Sequence, residues 1–126
     1  MNMTTQHNFL ERDIITVNFD HSVRTEIKKR RPAIVISKNG YNKGHSQVIV
    51  CPITSTTKDS FFLVPLIAPV IQGILKPGSK VNTSQVFTLD VTPGSTRNPL
   101  KIGQLVSKEF LNILQFVMLN FNHLTD

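Results

Sequence analysis

Helix breakers recur along this chain at short intervals. Proline or glycine stands at positions 32, 40, 44, 52, 65, 69, 73, 77, 78, 93, 94, 99 and 103, and neither occurs after Gly103. Proline inside a helix removes a hydrogen bond and clashes with the turn before it, and interior glycine weakens helix and strand alike. From residue 32 to 103 the chain therefore has room for short strands and turns, and a helical bundle is excluded. The 126 residues, 40% of them hydrophobic, suffice for one packed core and not for a second beside it.

The apolar pattern predicts where the strands fall. Residues 13–19 (DIITVNF) are β-branched and partly alternating. Residues 32–37 (PAIVIS) and 47–53 (QVIVCPI) are continuous apolar runs that suit buried strands, with Pro32 at a strand start and Pro52 near a strand end. Residues 61–67 (FFLVPLI) predict a strand whose Pro65 marks an edge or a bulge, and residues 80–89 (KVNTSQVFTL) alternate as one further strand. A short strand is expected around 100–105. Between them, 20–31 and 54–60 are polar loops. Residues 38–46 carry the turn signals Asn39-Gly40 and Lys43-Gly44, 68–80 is irregular, and 90–98 is turn-rich. Residues 1–10 are expected to be a flexible polar tail, and 11–126 a single domain.

The final segment has a different character. Residues 107–123 lack proline and glycine, and Phe110, Ile113, Leu114, Val117 and Phe121 recur at helical spacing. Ser107 is the expected N-cap, with Glu109 in the first turn to complement the helix dipole. Phe116 and Leu119 widen the apolar face, which fits packing on the barrel and a partner subunit, or on the core alone. Five or six short strands and this helix make the fold mostly β with one C-terminal helix, a small and strongly curved sheet or barrel.

The charge balance is 14 basic against 8 acidic residues, a net of +6, which favours polyanionic partners. Arg24, Lys28, Lys29, Arg30 and Arg31 lie within eight residues of one another, opposed only by Glu26. Such a run is either a solvated loop or a polyanion path, and placement decides. The single cysteine, Cys51, sits in an apolar run, so no internal disulfide forms and a buried, inert thiol in a reducing cytoplasm is expected. The polar start of the chain argues against a signal peptide, and no apolar run reaches transmembrane length. The acids and the four histidines are scattered, with no metal-ligand spacing, so no metal or other cofactor is expected.

Metal-free RNA cleavage needs little of this. The substrate's own 2′-OH is the nucleophile, and the protein supplies a base, an acid and donors for the charged transition state. A forked arginine and a threonine hydroxyl suit the last role.

Several linked motifs carry a resemblance. DIITVNFD (13–20), TEIKKRRPAIVIS (25–37) and VIVCPITS (48–55) are followed in order by SQVFTLD (84–90) and IGQL (102–105). Together they resemble the MazF/PemK toxin family across about residues 11–122. The resemblance implies a homodimer of small SH3-like barrels, the MazF/PemK/CcdB type, that cuts single-stranded RNA at short sequences in the cytoplasm without a cofactor. It also implies a cognate antitoxin whose acidic segment fills the RNA groove. Arg31 matches the family's catalytic arginine before proline, Thr54 its catalytic threonine, and Glu26 an acid beside the site. Lys28, Lys29, Arg30, Ser55 and Gln85 are the candidate RNA contacts. Four positions depart from the pattern: Arg12 replaces a glycine, His21 a proline, Ser84 an acid, and Asn82 stands where some PemK-like members carry arginine. Two other readings compete, a CcdB-like toxin that binds DNA gyrase and cuts nothing, and a degenerate RNA-binding relative.

Overall fold

The computed structural model describes residues 7–19 and 30–121. Seven strands and three helices follow in order: β1 (Asp13–Asn18), β2 (Arg30–Val35), α1 (Asn39–Gly44), β3 (Gln47–Ser55), β4 (Leu63–Pro65), α2 (Ala68–Ile71), β5 (Ser79–Asn82), β6 (Phe87–Asp90), β7 (Leu100–Gln104) and α3 (Ser107–Leu119). The strands form one antiparallel sheet in the order β4-β5-β3-β2-β1-β7, with β6 also paired to β3. The fold is mostly β with a C-terminal helix, as expected. The barrel-like sheet stays open, because β4 and β7 end it without pairing to each other.

The inner strands are buried on both faces, which is why they read as unbroken apolar runs. Side chains alternate across a strand. Ile14 and Ile34 therefore join Ile53, Val81 and Leu105 on one face, under Phe110, Ile113 and Val117 of α3. Ile15, Val17, Ala33 and Val35 join Val48, Val50 and Leu89 on the other, with Phe9 and Phe19 packed against them. Each fully buried aliphatic side chain contributes about 1.5–3 kcal/mol. The two clusters together hold the β1–β2–β3 frame on which the site is built.

Several local expectations are corrected. The run expected as one strand over 80–89 is two, β5 and β6. The Asn82 side chain accepts hydrogen bonds from the Ser84 amide and hydroxyl at 3.2 and 2.7 Å, and Thr83 turns back to the Phe62 carbonyl. This local side-chain closure makes a turn inside an alternating pattern. The expected turn after residue 38 contains the one-and-a-half-turn helix α1, and 68–71 is helical rather than irregular. Ser107 does not cap α3: its hydroxyl accepts from the Arg12 guanidinium at 2.9 Å, and Val106 holds the cap position without a side-chain bond. Thr54 and Ser55 belong to β3 rather than to the loop after it.

Candidate active site

A cleft of about 420 Å³ opens where β2 and β3 part. Pro32 accounts for the parting, and Pro52 for the change of partner beside it. The Ile36 amide donates to the Ile49 carbonyl across the β2–β3 pair. Since backbone polar groups alternate sides along a strand, Pro32 also faces β3. Pro32 has no N–H to give, and the β2–β3 ladder stops at Ala33, opposite Pro52. Pro52 itself faces outward from β3. There the outer partner changes from β6, which pairs with residues 47–50, to β5, which pairs with residues 53–55. The missing donor of Pro52 falls in that gap, so a proline is tolerated in the middle of a nine-residue strand. Beyond Ala33, β3 follows β5 and leaves β2 behind.

The cleft is lined from the β2 side by Arg30, Arg31 and Pro32, and from the β3 side by Ile53, Thr54 and Ser55. Arg31 is exposed and Thr54 half-buried. Arg30 is turned onto β1, where its guanidinium donates to the Thr16 carbonyl at 3.0 Å and hydroxyl at 2.9 Å. It is therefore held, and not a freely solvated charge. The Ser55 hydroxyl donates to the Pro77 carbonyl at 3.1 Å, so it braces the opposite wall. That wall, residues 74–79, supplies Ile74, Leu75, Lys76 and Ser79. It approaches β7 closely at Gly103, where a Cβ would come within 2.9 Å of Cδ1 at the tip of the Ile74 side chain.

The described lining contains three cations, Arg30, Arg31 and Lys76, and no carboxylate or imidazole. A cavity of that composition attracts anionic groups and leaves their charge uncancelled. Glu26, Lys28, Lys29 and His21 lie outside the described residues. Gln85 is exposed on the turn between β5 and β6 and is not part of the cleft lining. Asn82 and Ser84 bond each other in that same turn, also outside the cleft. Cys51 is fully buried, and burial pushes its thiol up to about 12, so it is an unreactive core residue. Among the described residues no three His, Cys, Asp or Glu side chains gather as a metal site would require. No helix among them is long and apolar enough to cross a membrane.

Sequence reasoning missed Thr16, Ile74, Lys76, Ser79 and Ile102 as lining residues. Thr16 and Ile102 fall inside the quoted motifs but carry no site signal there, Ile74, Lys76 and Ser79 fall outside them, and only the sheet order brings β1, β7 and the β4–β5 connection to the same place. Pro77-Gly78, a turn-forming pair inside the stretch read as irregular, is a local hint that the chain reverses there.

The family of PemK-like, MazF-like toxins of type II toxin-antitoxin systems matches residues 11–121, nearly the whole chain. The chain belongs to that family. The match bears out the motif resemblance and favours it over the CcdB-like alternative. The fold agrees. MazF in a MazE–MazF crystal structure from Deinococcus radiodurans superposes with a TM-score of 0.70 at 20% identity, covering 93% of this chain and 98% of that one. An endoribonuclease in complex with its cognate antitoxin, from a mycobacterial species, gives 0.66 at 13% identity over 92% and 97%. The Mycobacterium tuberculosis toxin MazF-mt6 gives 0.62 at 20% identity over 88% and 97%. No curated protein matches the sequence.

Proposed function

We propose that this MazF/PemK-family chain is a metal-independent endoribonuclease that cuts single-stranded RNA in the cytoplasm. The observation that carries the reading is the meeting of Arg31 and Thr54 in one cleft whose described lining is cationic and holds no acid. In the proposed reaction the ribose 2′-oxygen attacks the adjacent phosphorus while the bond from phosphorus to the 5′-oxygen breaks. The products are a 2′,3′-cyclic phosphate and a 5′-hydroxyl. A base takes the 2′ proton, and the leaving 5′-oxygen receives one. Arg31 spreads its forked donors over the non-bridging phosphate oxygens, where negative charge grows in the transition state, and the Thr54 hydroxyl adds a donor. Glu26, at the family's acidic position, is the proposed proton acceptor.

The partners follow from the same charge and surface. Single-stranded RNA is the substrate, and a cognate antitoxin with an acidic segment competes for the cationic cleft. A homodimer is supported by α3, which leaves Leu111, Met118 and Leu119 exposed on a second stripe while Phe110, Ile113 and Val117 are buried. Lys28, Lys29 and Arg30 are proposed to extend the RNA path, with Ser55 at its floor and Gln85 beyond the cleft.

Incubation with mixed-sequence RNA in EDTA tests the activity. Discrete fragments ending in 2′,3′-cyclic phosphate are expected. Arg31→Ala and Thr54→Ala should each lower the rate by at least about 100-fold, the scale of losing one transition-state donor. Intact RNA after incubation with the wild-type protein would refute the reading.

A further inference from the structure

We propose that Lys76 is an RNA phosphate-binding residue on the wall of the cleft opposite Arg31. This rests on the RNA-cutting reading of the cleft and extends it to a residue that no sequence motif marks.

The backbone around Lys76 is tied down on both sides. The Ile74 and Leu75 amides donate to the Pro69 carbonyl at 2.9 and 3.2 Å, and Leu75 is buried in the core. The Lys76 carbonyl accepts from the Ser79 amide at 3.2 Å and from its hydroxyl at 2.7 Å. Two further bonds join this wall to the end of β3. The Ser55 hydroxyl meets the Pro77 carbonyl, and the Thr56 amide meets the Gly78 carbonyl at 3.2 Å. The base of the side chain is therefore held relative to Thr54, one residue before Ser55.

The ammonium itself has no partner among the described residues. It differs in this from its neighbours. Arg30 is bonded to Thr16, Lys80 is paired with Asp59 at 3.0 Å, and Lys101 is paired with Asp13 at 3.1 Å. Lys76 is exposed, lines the cleft, and meets no acid in the described lining. A lysine is a compact charge with rotatable donors and no plane to match, which suits a phosphate better than a base edge. In the sheet, β3 lies between β2 and β5. Thr54 thus stands between the strand that carries Arg31 and the strand that Lys76 leads into. With Arg31 and Thr54 on the phosphate being cut, Lys76 is placed to take a neighbouring phosphate of the same strand.

Counterion release makes the proposal measurable. Each phosphate contact on a single strand contributes about −0.7 to the slope of log affinity against log salt. Binding of a mixed-sequence RNA pool, blocked against cleavage by 2′-O-methyl groups, is measured between about 50 and 200 mM salt. Lys76→Gln should make the slope shallower by about 0.7, a change of about 2.6-fold in the affinity ratio over that range. Lys76→Arg should restore the wild-type slope, and Lys43→Gln, an exposed cation on α1, should leave it unchanged. On unblocked RNA, Lys76→Gln should raise KM with kcat held within about twofold, the pattern of uniform binding lost. Wild-type cutting together with an unaltered slope in Lys76→Gln would overturn the assignment alone, as would an equal loss in Lys43→Gln. A wild-type protein that neither binds nor cuts RNA would overturn the functional reading and this inference with it.

Discussion

Arg12 stands in a backbone conformation that favours glycine, with φ at 75°. A residue with a Cβ there costs about 1–2 kcal/mol. Four hydrogen bonds hold it. The Arg12 amide donates to the Val35 carbonyl at 3.0 Å, and its carbonyl accepts from the Leu105 amide at 2.8 Å. The guanidinium donates to the Leu105 carbonyl at 3.1 Å and to the Ser107 hydroxyl at 2.9 Å. The family's glycine shape is thus kept, and the arginine adds a brace from the start of β1 to the start of α3. Arg12→Ala loses the brace and keeps the strain, so it should cost about 1–2 kcal/mol. Arg12→Gly loses the brace and relieves the strain, so it should lie within about 1 kcal/mol of the wild type. Urea unfolding of the three proteins decides this, and a glycine variant no more stable than the alanine variant would contradict it.

At the scale of elements, prolines shape the site as much as the charged residues do. Pro32 ends the β2–β3 ladder and Pro52 occupies the gap where β3 changes partners. Pro32→Ala would supply a donor facing Ile53 and let the ladder run one pair further. The cleft between Arg31 and Thr54 would then narrow. The variant is expected to keep or gain up to about 1 kcal/mol of stability, the worth of one hydrogen bond, while RNA cleavage falls by roughly tenfold or more. Thermal unfolding and cleavage rates measured side by side check the pair of effects. Full activity in a stable variant would show that the ladder break is not what opens the site. Glu109 acts at the same scale. Its carboxylate accepts from the Ile67 and Ala68 amides at 3.0 and 2.9 Å, and so ties α3 to the segment that leads into the cleft wall.

Across the whole molecule, α3 and its flanks leave large apolar side chains in water. Leu111, Met118, Leu119 and Phe121 are each at least half exposed, and Phe61, 63% exposed, packs its ring 5.1 Å from that of Phe116 on the same helix. Large apolar side chains left exposed in this number along one helix suit an interface in a small protein. Light scattering at micromolar concentration should therefore give about twice the 14.2 kDa chain mass. The double change Leu111→Glu and Met118→Glu should give the single-chain mass with the same circular dichroism. A wild-type protein that scatters as one chain would rule out the dimer.

Much was legible before any coordinates. Strand β1 and the C-terminal helix follow from apolar periodicity, and β3 from an unbroken apolar run that suits a strand buried on both faces. Arg31-Pro32 and Pro52-Ile53-Thr54 were legible through motif order, and that order named the family. Other features depended on long-range pairing. The break of residues 80–89 into two strands was settled by Asn82 accepting locally from Ser84 and by Thr83 donating to the distant Phe62 carbonyl. Ser107 gave its hydroxyl to Arg12, ninety-five residues away, instead of to its own helix. Lys76 reached the cleft because β5 pairs with β3. Sequence by itself determined most of the extended segments and the C-terminal helix, which are written in local apolar pattern, and its motif order marked Arg31 and Thr54 by resemblance to the family. Only the tertiary structure decided where β2 and β3 part, which cations near the cleft are already paired, and that Lys76 faces the cleft without a partner among the described residues. Those outcomes depend on neighbours that the chain supplies from far along its length.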